Sequence, residues 1–351
     1  MRPVQFSQLT RRRLANFRAN KRGFWSLCIF VVLLVLSLFA ELIASDKPLL
    51  LGFDGNLYAP ALMIYPETTF GGVLFSETDY HEREVQALIE AKDGWMIWPP
   101  IPFAYDTIDW KIGEPVPSPP SARHWLGTDD VARDVMARII YGFRLSVLFG
   151  LALTLLSSVV GISVGAVQGF FGGWVDLIGQ RLVEIWAGMP MLFLLIILAS
   201  LVQPSAVTLL GLLLLFSWMA LVAVVRAEFL RTRNFDYVRA SRALGVSNFD
   251  IMRLDVLPNA MVAALTFLPF ILTGSITTLT SLDFLGFGLP AGSPSLGELL
   301  AQGKANLNAP WLGLSGFFAL VVMLTLLIFI GEGVRDAFDP KRSVTSVDAK
   351  V

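Results

Sequence analysis

Residues 145–170 read LSVLFGLALTLLSSVVGISVGAVQGF, a stretch that contains no charged side chain. An α-helix rises about 1.5 Å per residue, so about 20 apolar residues cross a hydrocarbon core of roughly 30 Å. A segment inside lipid must satisfy its own backbone hydrogen bonds, and a helix does so without a partner segment. The stretch therefore predicts a helix that spans a membrane.

Five further apolar blocks lie on either side of this stretch, at residues 24–44, 182–202, 206–225, 261–282 and 311–331. Together they explain why 55% of the chain is hydrophobic and only 16% is charged, whereas soluble domains carry about 25% charge. We therefore expect an all-α polytopic membrane protein with six transmembrane helices. The first block is expected to be a retained anchor, because it exceeds the about 7–15 residues of a signal-peptide core.

The block at residues 182–202 is the weakest of the six, because it contains Glu184, Gly188 and Pro190. Only residues 203–205 separate it from the next block. A short connection that contains a proline favours a tight helical hairpin between two spans. A re-entrant segment is the alternative.

Lysine and arginine are concentrated before the first block, after the fourth and after the sixth. Residues 1–22 contain seven such side chains and no acid, and residues 226–253 contain six arginines. Basic segments stay on the cytoplasmic side, so both termini are expected in the cytoplasm. Residues 45–143 carry about twice as many acids as bases and are expected outside the inner membrane.

These assignments divide the chain into five regions and one long loop. In chain order they are a cytoplasmic N-terminus (1–23), the first transmembrane helix (24–44), a periplasmic insertion and lead-in (45–143), a core of five transmembrane helices (144–335) that includes a cytoplasmic loop (226–259), and a cytoplasmic tail (336–351). The insertion is too apolar for a disordered linker. It predicts a small domain of mixed or irregular structure, with a short helix at residues 81–91.

Several kinds of chemistry have no support in the sequence. Cys28 is the only cysteine, and His81 and His124 are the only histidines, which is too few for a histidine-based metal site. The chain has no GxxxxGK[ST] phosphate loop and no basic stripe with interleaved aromatic residues that would indicate a nucleic-acid partner. We therefore expect no cofactor, no metal, no nucleic acid and no catalytic residues.

The most informative hydrophilic segment reads NFDYVRASRALGVSNFD at residues 234–250. Asn234 or Asp236 is suited to cap the start of a helix. Gly245 is suited to end that helix in the left-handed conformation. The first half of the segment therefore predicts a short helix that stops at a glycine turn.

The second half of this segment predicts another short helix. Ser247 and Asp250 resemble a capping box, and Pro258 predicts a break before the fifth span. The whole loop thus reads as helix, glycine turn and helix. A docking surface for a partner and a plain connector between two spans are equally compatible with this pattern.

The spacing of the loop resembles the EAA loop of binding-protein-dependent ABC importer permeases, which has Glu-Ala-Ala, three residues, glycine, nine residues and Ile-x-Leu-Pro. The matching positions are Arg239, Ala240, Ser241, Gly245, Asp255, Leu257 and Pro258. Arginine, serine and aspartate replace the glutamate, the second alanine and the isoleucine of the pattern. In this family the loop fits a groove on the ATPase, so the resemblance implies an ATPase-coupling set of Arg239, Ala240, Ser241, Gly245, Leu257 and Pro258.

Further segments resemble the dipeptide, oligopeptide and nickel importer permeases. They are HWLGTDDVARDV (124–135), YGFRLS (141–146), FLGFGLP (284–290), SPSLG (293–297) and GEGVRDAFDP (331–340). The long insertion at residues 45–120 is more like the Yej-type permeases, which import peptides and the antibiotic microcin C.

The resemblance implies a type I ABC importer fold and a set of partners. Two homologous permease chains form a heterodimer in the membrane lipid, ATP-binding-cassette subunits bind it from the cytoplasm, and a periplasmic binding protein delivers the substrate. The expected cargo is a peptide or peptide-like compound, with microcin C as one candidate. Another solute such as nickel is the alternative within the same family.

Polar side chains inside the apolar blocks are candidates for lining the transport pathway. They are Ser157, Glu184, Thr273, Ser275 and Thr277. Small hydroxyl residues also serve helix–helix packing, and Glu184 has Arg181 as a helical ion-pair partner.

Two other functional classes compete with an ABC permease. An ion-driven secondary transporter favours inverted halves and buried acids at mid-membrane, and neither is evident. A membrane-embedded hydrolase needs a histidine on a span, and both histidines lie outside the apolar blocks.

Overall fold

The computed structural model describes residues 8–339. Residues 1–7 of the predicted basic N-terminus and residues 340–351 of the predicted tail lie outside the described residues. The helices are α1 (Gln8–Ala19), α2 (Lys21–Leu38), α3 (Ala40–Ile43), α4 (Arg83–Glu90), α5 (Val135–Phe171), α6 (Gly173–Ala187), α7 (Met191–Leu201), α8 (Ala206–Ser217), α9 (Met219–Thr232), α10 (Asp236–Ala243), α11 (Asn248–Asp250), α12 (Leu257–Phe284), α13 (Leu296–Ala305) and α14 (Pro310–Phe338). The strands are β1 (Leu50–Phe53), β2 (Asn56–Tyr58) and β3 (Trp95–Ile97).

The apolar blocks fold as long helices, as the sequence predicts. Within residues 8–339, five segments are long and apolar enough to cross a membrane, and a sixth crossing results if one bent helix pair forms a single span. The five are Lys21–Leu38, Val135–Phe171, Ala206–Thr232, Asn248–Phe284 and Pro310–Phe338. The prediction of an all-α polytopic membrane protein with a small mixed insertion is therefore confirmed.

The block at residues 182–202 differs from the prediction of one straight helix. It lies in α6 and α7, whose axes are bent by 74° at the break between them. Gly188 and Pro190 lie at this break. Proline lacks the amide hydrogen that a continuous helix needs, and its ring clashes with the preceding turn. The two residues that weakened the prediction are the cause of the bend.

The chain divides into two compact units, and each is described by itself. The helical unit comprises residues 8–31, Val147–Leu282 and residues 322–339, and the insertion unit comprises Val32–Ser146 and Asp283–Val321. The predicted division of the chain into five regions stays a prediction.

In the helical unit, three glycines of α5 allow close contact with α9. Added Cβ atoms at Gly161 and Gly165 would lie 2.3 and 2.8 Å from the backbone oxygens of Trp218 and Val222. An added Cβ at Gly169 would lie 2.6 Å from the backbone oxygen of Arg226. The spacing of four residues places all three glycines on one face of the helix. Small residues at this spacing let two membrane helices approach backbone to backbone.

The insertion unit contains a three-stranded antiparallel sheet with the order β2-β1-β3. One face of this sheet packs with α4, which forms where residues 81–91 predict a helix. The shared core consists of Leu51, Phe53, Phe70, Tyr80, Val85 and Ile89. The insertion is thus an ordered small domain rather than a linker.

A buried group of charges holds the lead-in to α5 against α13 in the same unit. The Arg138 side chain is fully buried, and its guanidinium lies 2.8 Å from the Glu298 carboxylate and 3.6 Å from that of Asp129. Arg133 lies 2.7 Å from Asp129 and 3.2 Å from Glu298. Two arginines therefore alternate with two carboxylates, which offsets the cost of burying each charge.

The His124 ring is buried, and both of its nitrogens lie at hydrogen-bond distance from carboxylates. Its Nδ1 lies 2.8 Å from Asp134, and its Nε2 lies 3.2 Å from Asp109. Residues 8–339 contain no group of three or more histidine, cysteine or acidic side chains arranged to hold a metal ion. The histidine therefore ties two segments of the insertion unit together.

His81 gives the insertion unit a predicted pH dependence. It stacks on Trp98 with ring centroids 4.5 Å apart, and burial lowers its pKa below the ordinary value of 6.5. At mildly acidic pH the unfolded chain therefore binds more protons than the folded chain. The contribution of His81 to the free energy of unfolding is present above pH 6.5 and is lost as the pH falls below 6.5.

We therefore expect the thermal unfolding midpoint to fall between pH 7.5 and pH 5.5, and to fall less in His81→Gln. Scanning calorimetry at both pH values would measure this. An equal fall in the two proteins would contradict the assignment.

Candidate coupling loop and transport pathway

Helix α10 is anchored on one side and open on the other. Val238 is fully buried and belongs to a cluster with Phe170, Phe229 and Ile251. Arg239 and Ala240 are exposed, and Ser241 is half-buried. The anchor fixes the helix on the ends of α5 and α9, while its other face is free to contact a partner.

The glycine turn after α10 has the conformation that the sequence predicts. Gly245 has a φ of +80°, and the amide of Val246 donates to the carbonyl of Ser241 over 3.1 Å. An added Cβ at Gly245 would meet no atom within 4 Å. The requirement for glycine is therefore conformational, because side chains other than glycine are strained in the left-handed region.

The predicted caps have different outcomes. Ser247 caps α11, since its Oγ accepts from the amide of Asp250 over 3.1 Å. The Asp250 carboxylate accepts from the Ser247 hydroxyl and not from the Ser247 amide, so half of the predicted capping box forms. Neither Asn234 nor Asp236 caps α10, because the residue at the cap position is Phe235 and no side chain bonds there. The Asn234 amide donates to the carbonyl of Leu230 instead, so it is engaged by the end of α9.

The predicted break at Pro258 is wrong. One helical segment continues from Asn248 to Phe284, with a π-helical turn at Ile251–Val256. Pro258 is the second residue of α12 but lies in the interior of this continuous segment, where a local π-helical adjustment lets a membrane helix tolerate a proline. The wider π-helical turn, a feature often found at functional sites, lies directly before it.

Tyr237 connects α10 to the start of α12. The Asn259 amide donates to the Tyr237 hydroxyl over 2.8 Å and to the carbonyl of Asp255 over 3.2 Å. Leu257 packs against the cluster around Val238, while Pro258 is exposed. The loop is therefore connected to both α5 and α12, so a displacement of α10 reaches two spans.

Two arginines fix the helices that flank the loop. The Arg233 guanidinium donates to the carbonyls of Gly169 and Phe170, over 3.3 and 3.2 Å. These carbonyls end α5 and have no partner within the helix. Arg226 forms two hydrogen bonds to the Asp176 carboxylate, one of them 2.7 Å long. The start of the loop is thus tied to α5, and α9 is tied to α6.

The pathway candidates do not form one site. Ser157 and Ser275 are buried, and Ser157 donates to the carbonyl of Thr154 in its own helix. Thr277 is exposed on α12 and donates to the carbonyl of Thr273. Glu184 is exposed and pairs with Arg181, as their spacing predicts. The two serines are buried, Thr273 is half-buried and Thr277 is exposed, and their role in a pathway stays a prediction.

Sequence reasoning missed the residues that support the loop. Gly161, Gly165 and Gly169 repeat at a spacing of four, and this spacing was a signal for close helix packing. Arg233 and the Tyr237–Asn259 pair had no such signal, because their partners lie far away in the sequence.

The fold and the loop define a class of protein: a membrane subunit whose spans are connected to an exposed helix and glycine turn. The chain belongs to the family of binding-protein-dependent transport system inner membrane components, whose profile matches residues 157–344. It is therefore a permease subunit of an ABC importer, located in an inner membrane.

Curated relatives agree with this family. The inner membrane ABC transporter permease protein YejE of Escherichia coli is 60% identical, over 97% of this chain and 99% of its own length. The peptidoglycan transport system permease protein YejE of Agrobacterium fabrum is 56% identical, over 96% of this chain and 94% of its own. The dipeptide transport system permease protein DppC of Bacillus subtilis is 36% identical, over 64% of this chain and 70% of its own length. The resemblance to Yej-type permeases is thereby confirmed.

Proposed function

We propose that this chain is one of two homologous permease subunits that carry peptides or peptide-bearing compounds inward, driven by separate ATPase subunits. The cargo class is supported by two relatives, one named as a peptidoglycan and the other as a dipeptide transport system permease. Peptide-like antibiotics such as microcin C share the backbone chemistry that such a carrier accepts. A periplasmic binding protein delivers the cargo, and both termini lie in the cytoplasm. The chain itself hydrolyses nothing.

The observation that carries the coupling mechanism is the arrangement around Gly245. Exposed Arg239 and Ala240, with Ser241 beside them, face outward on α10, while buried Val238 holds the other side. A partner that grips this helix moves α5 through Val238 and α12 through Tyr237. Rigid elements of this kind transmit displacement because packed interfaces do not deform continuously.

The test substitutes valine at Gly245 in a complex reconstituted with the partner permease and ATPase subunits. A β-branched residue at positive φ is a strong outlier, so the turn should shift and peptide uptake should fall by roughly tenfold or more, the equivalent of about 1.4 kcal/mol. Uptake of a labelled peptide and ATP hydrolysis would be measured in the same vesicles.

Two control variants separate coupling from general strain. Gly245→Asn should retain most of the uptake, because asparagine tolerates the left-handed region. Gly71 also has positive φ and open space around it, so Gly71→Val imposes the same strain in the insertion unit. If Gly71→Val lowers uptake as much as Gly245→Val, or if Gly245→Val assembles and transports normally, the loop is only a connector.

A further inference from the structure

Helix α1 carries a dense positive charge on a surface that the coupling mechanism does not use. Residues 8–22 contain Arg11, Arg12, Arg13, Arg18, Lys21 and Arg22, and no acidic residue. Arg11, Arg12 and Arg18 are exposed, and within residues 8–339 no carboxylate forms an ion pair with any of them. Within the described part of the chain, their charge is therefore left for a further partner.

One side of α1 packs against the end of α14. The Arg13 guanidinium lies 4.5 Å from the centre of the Phe338 ring, and the Phe17 ring lies against Gly333. At about 100° per residue, Arg11, Arg12 and Arg18 lie on the side of α1 away from Phe17. The packed side fixes the helix, and the three arginines face outward.

The junction between α1 and α2 is also fixed. The Asn20 amide donates to Asp336 on α14 over 3.0 Å, and its oxygen accepts from the amide of Gly23 over 3.1 Å. An added Cβ at Gly23 would lie 2.9 Å from the Cα of Gly333. The helix cannot swing away from the ends of these two spans without breaking these contacts.

The level of α1 relative to a bilayer follows from helix lengths. Helix α14 has 29 residues, which corresponds to about 44 Å, and this exceeds a hydrocarbon core of roughly 30 Å. The last turns of α14, where α1 packs, therefore reach the headgroup region. Trp25 is 62% exposed one turn into α2, and exposed tryptophans collect at the same level.

We propose that the outward face of α1, formed by Arg11, Arg12 and Arg18, binds the phosphate groups of anionic phospholipids. Arginine matches phosphate geometry with paired hydrogen bonds, and basic clusters beside a span are attracted to anionic membrane surfaces. A lipid headgroup is favoured over a soluble protein because α1 is held at the depth where headgroups lie. This surface does not depend on which cargo the permease carries.

The test compares the full-length wild type with the triple variant R11Q/R12Q/R18Q. Each is reconstituted in phosphatidylcholine vesicles that contain a trace of spin-labelled phosphatidylglycerol or spin-labelled phosphatidylcholine. Glutamine keeps a helix propensity similar to that of arginine. The wild type should hold phosphatidylglycerol at least about fivefold more tightly than phosphatidylcholine at low salt, and the triple variant should lose most of that preference.

A matched variant, R11K/R12K/R18K, keeps the charge and should keep most of the preference. Raising the salt to 0.5 M should weaken binding in the wild type, because screening shortens the range of the attraction. A glutamine variant that still prefers phosphatidylglycerol as the wild type does would overturn the proposal and leave the arginine face to a protein partner. Loss of the preference in the lysine variant would assign the binding to the paired hydrogen bonds that only arginine makes, which still supports a headgroup phosphate as the ligand.

Discussion

Gly161→Ala is expected to destabilise the helical unit by about 1–3 kcal/mol, the usual cost of forcing extra volume into a packed interface. The added methyl group would lie 2.3 Å from the carbonyl oxygen of Trp218, so α5 and α9 must separate. Because α9 leads directly into α10, we also expect weaker coupling of ATP hydrolysis to uptake. Thermal unfolding of the purified protein measures the first effect, and uptake per ATP hydrolysed measures the second.

Gly211→Ala is the matched control. Gly211 lies within α8, and an added Cβ there would meet no atom within 4 Å. Alanine has a higher helix propensity than glycine by about 1 kcal/mol, so this variant should be as stable as the wild type or more stable. Equal unfolding midpoints for Gly161→Ala and Gly211→Ala would show that α5 and α9 are not in close contact.

Arg138→Met should have the largest effect in the insertion unit. The Arg138 side chain is fully buried and lies between Glu298 and Asp129. Removing one partner from a buried ion pair typically costs about 3–5 kcal/mol, because the remaining charge is left without compensation. We therefore expect a large fall in the yield of folded protein and in its unfolding midpoint.

The double variant Arg138→Met with Glu298→Gln removes charges from both sides and should recover part of the loss. Lys92→Met is the control, because the Lys92–Asp54 pair is exposed and such pairs contribute only about 0–1 kcal/mol. If Arg138→Met is no more harmful than Lys92→Met, the buried charges do not hold the lead-in to α5. A double variant no better than the single one would show that the lost side-chain packing matters more than the charge.

The sequence predicted most of the architecture, because its signals are local. A run of apolar residues requires a membrane helix whatever else the chain does, and the blocks at 24–44, 145–170, 206–225, 261–282 and 311–331 became helices. The turn at Gly245 and the cap at Ser247 were equally predictable, since each depends on the backbone of a few neighbouring residues. The motifs of the loop were sufficient to suggest the family.

The wrong predictions concern residues whose local preference is overridden by the structure around them. Pro258 lies in the interior of a continuous helical segment, and the π-helical turn directly before it lets that helix accommodate the proline. Asparagine favours the cap position of a helix, but the side-chain amide of Asn234 donates to the carbonyl of Leu230 near the end of α9. The pathway role of Ser157 and Ser275 stays a prediction; both are buried, and that burial depends on which helix packs against them.

The sequence by itself determined that this chain lies in a membrane, which apolar blocks form its long helices, and that a glycine turn interrupts its loop at residues 226–259. Only the tertiary structure decided that α5 packs on α9 through Gly161, Gly165 and Gly169, that Arg233 bonds the end of α5, and that α1 is held against α14 with three arginines facing outward. Hydropathy and backbone preference act over one or two turns of chain, whereas these contacts join residues many positions apart. Their geometry is set by which surfaces fit together once the helices have formed.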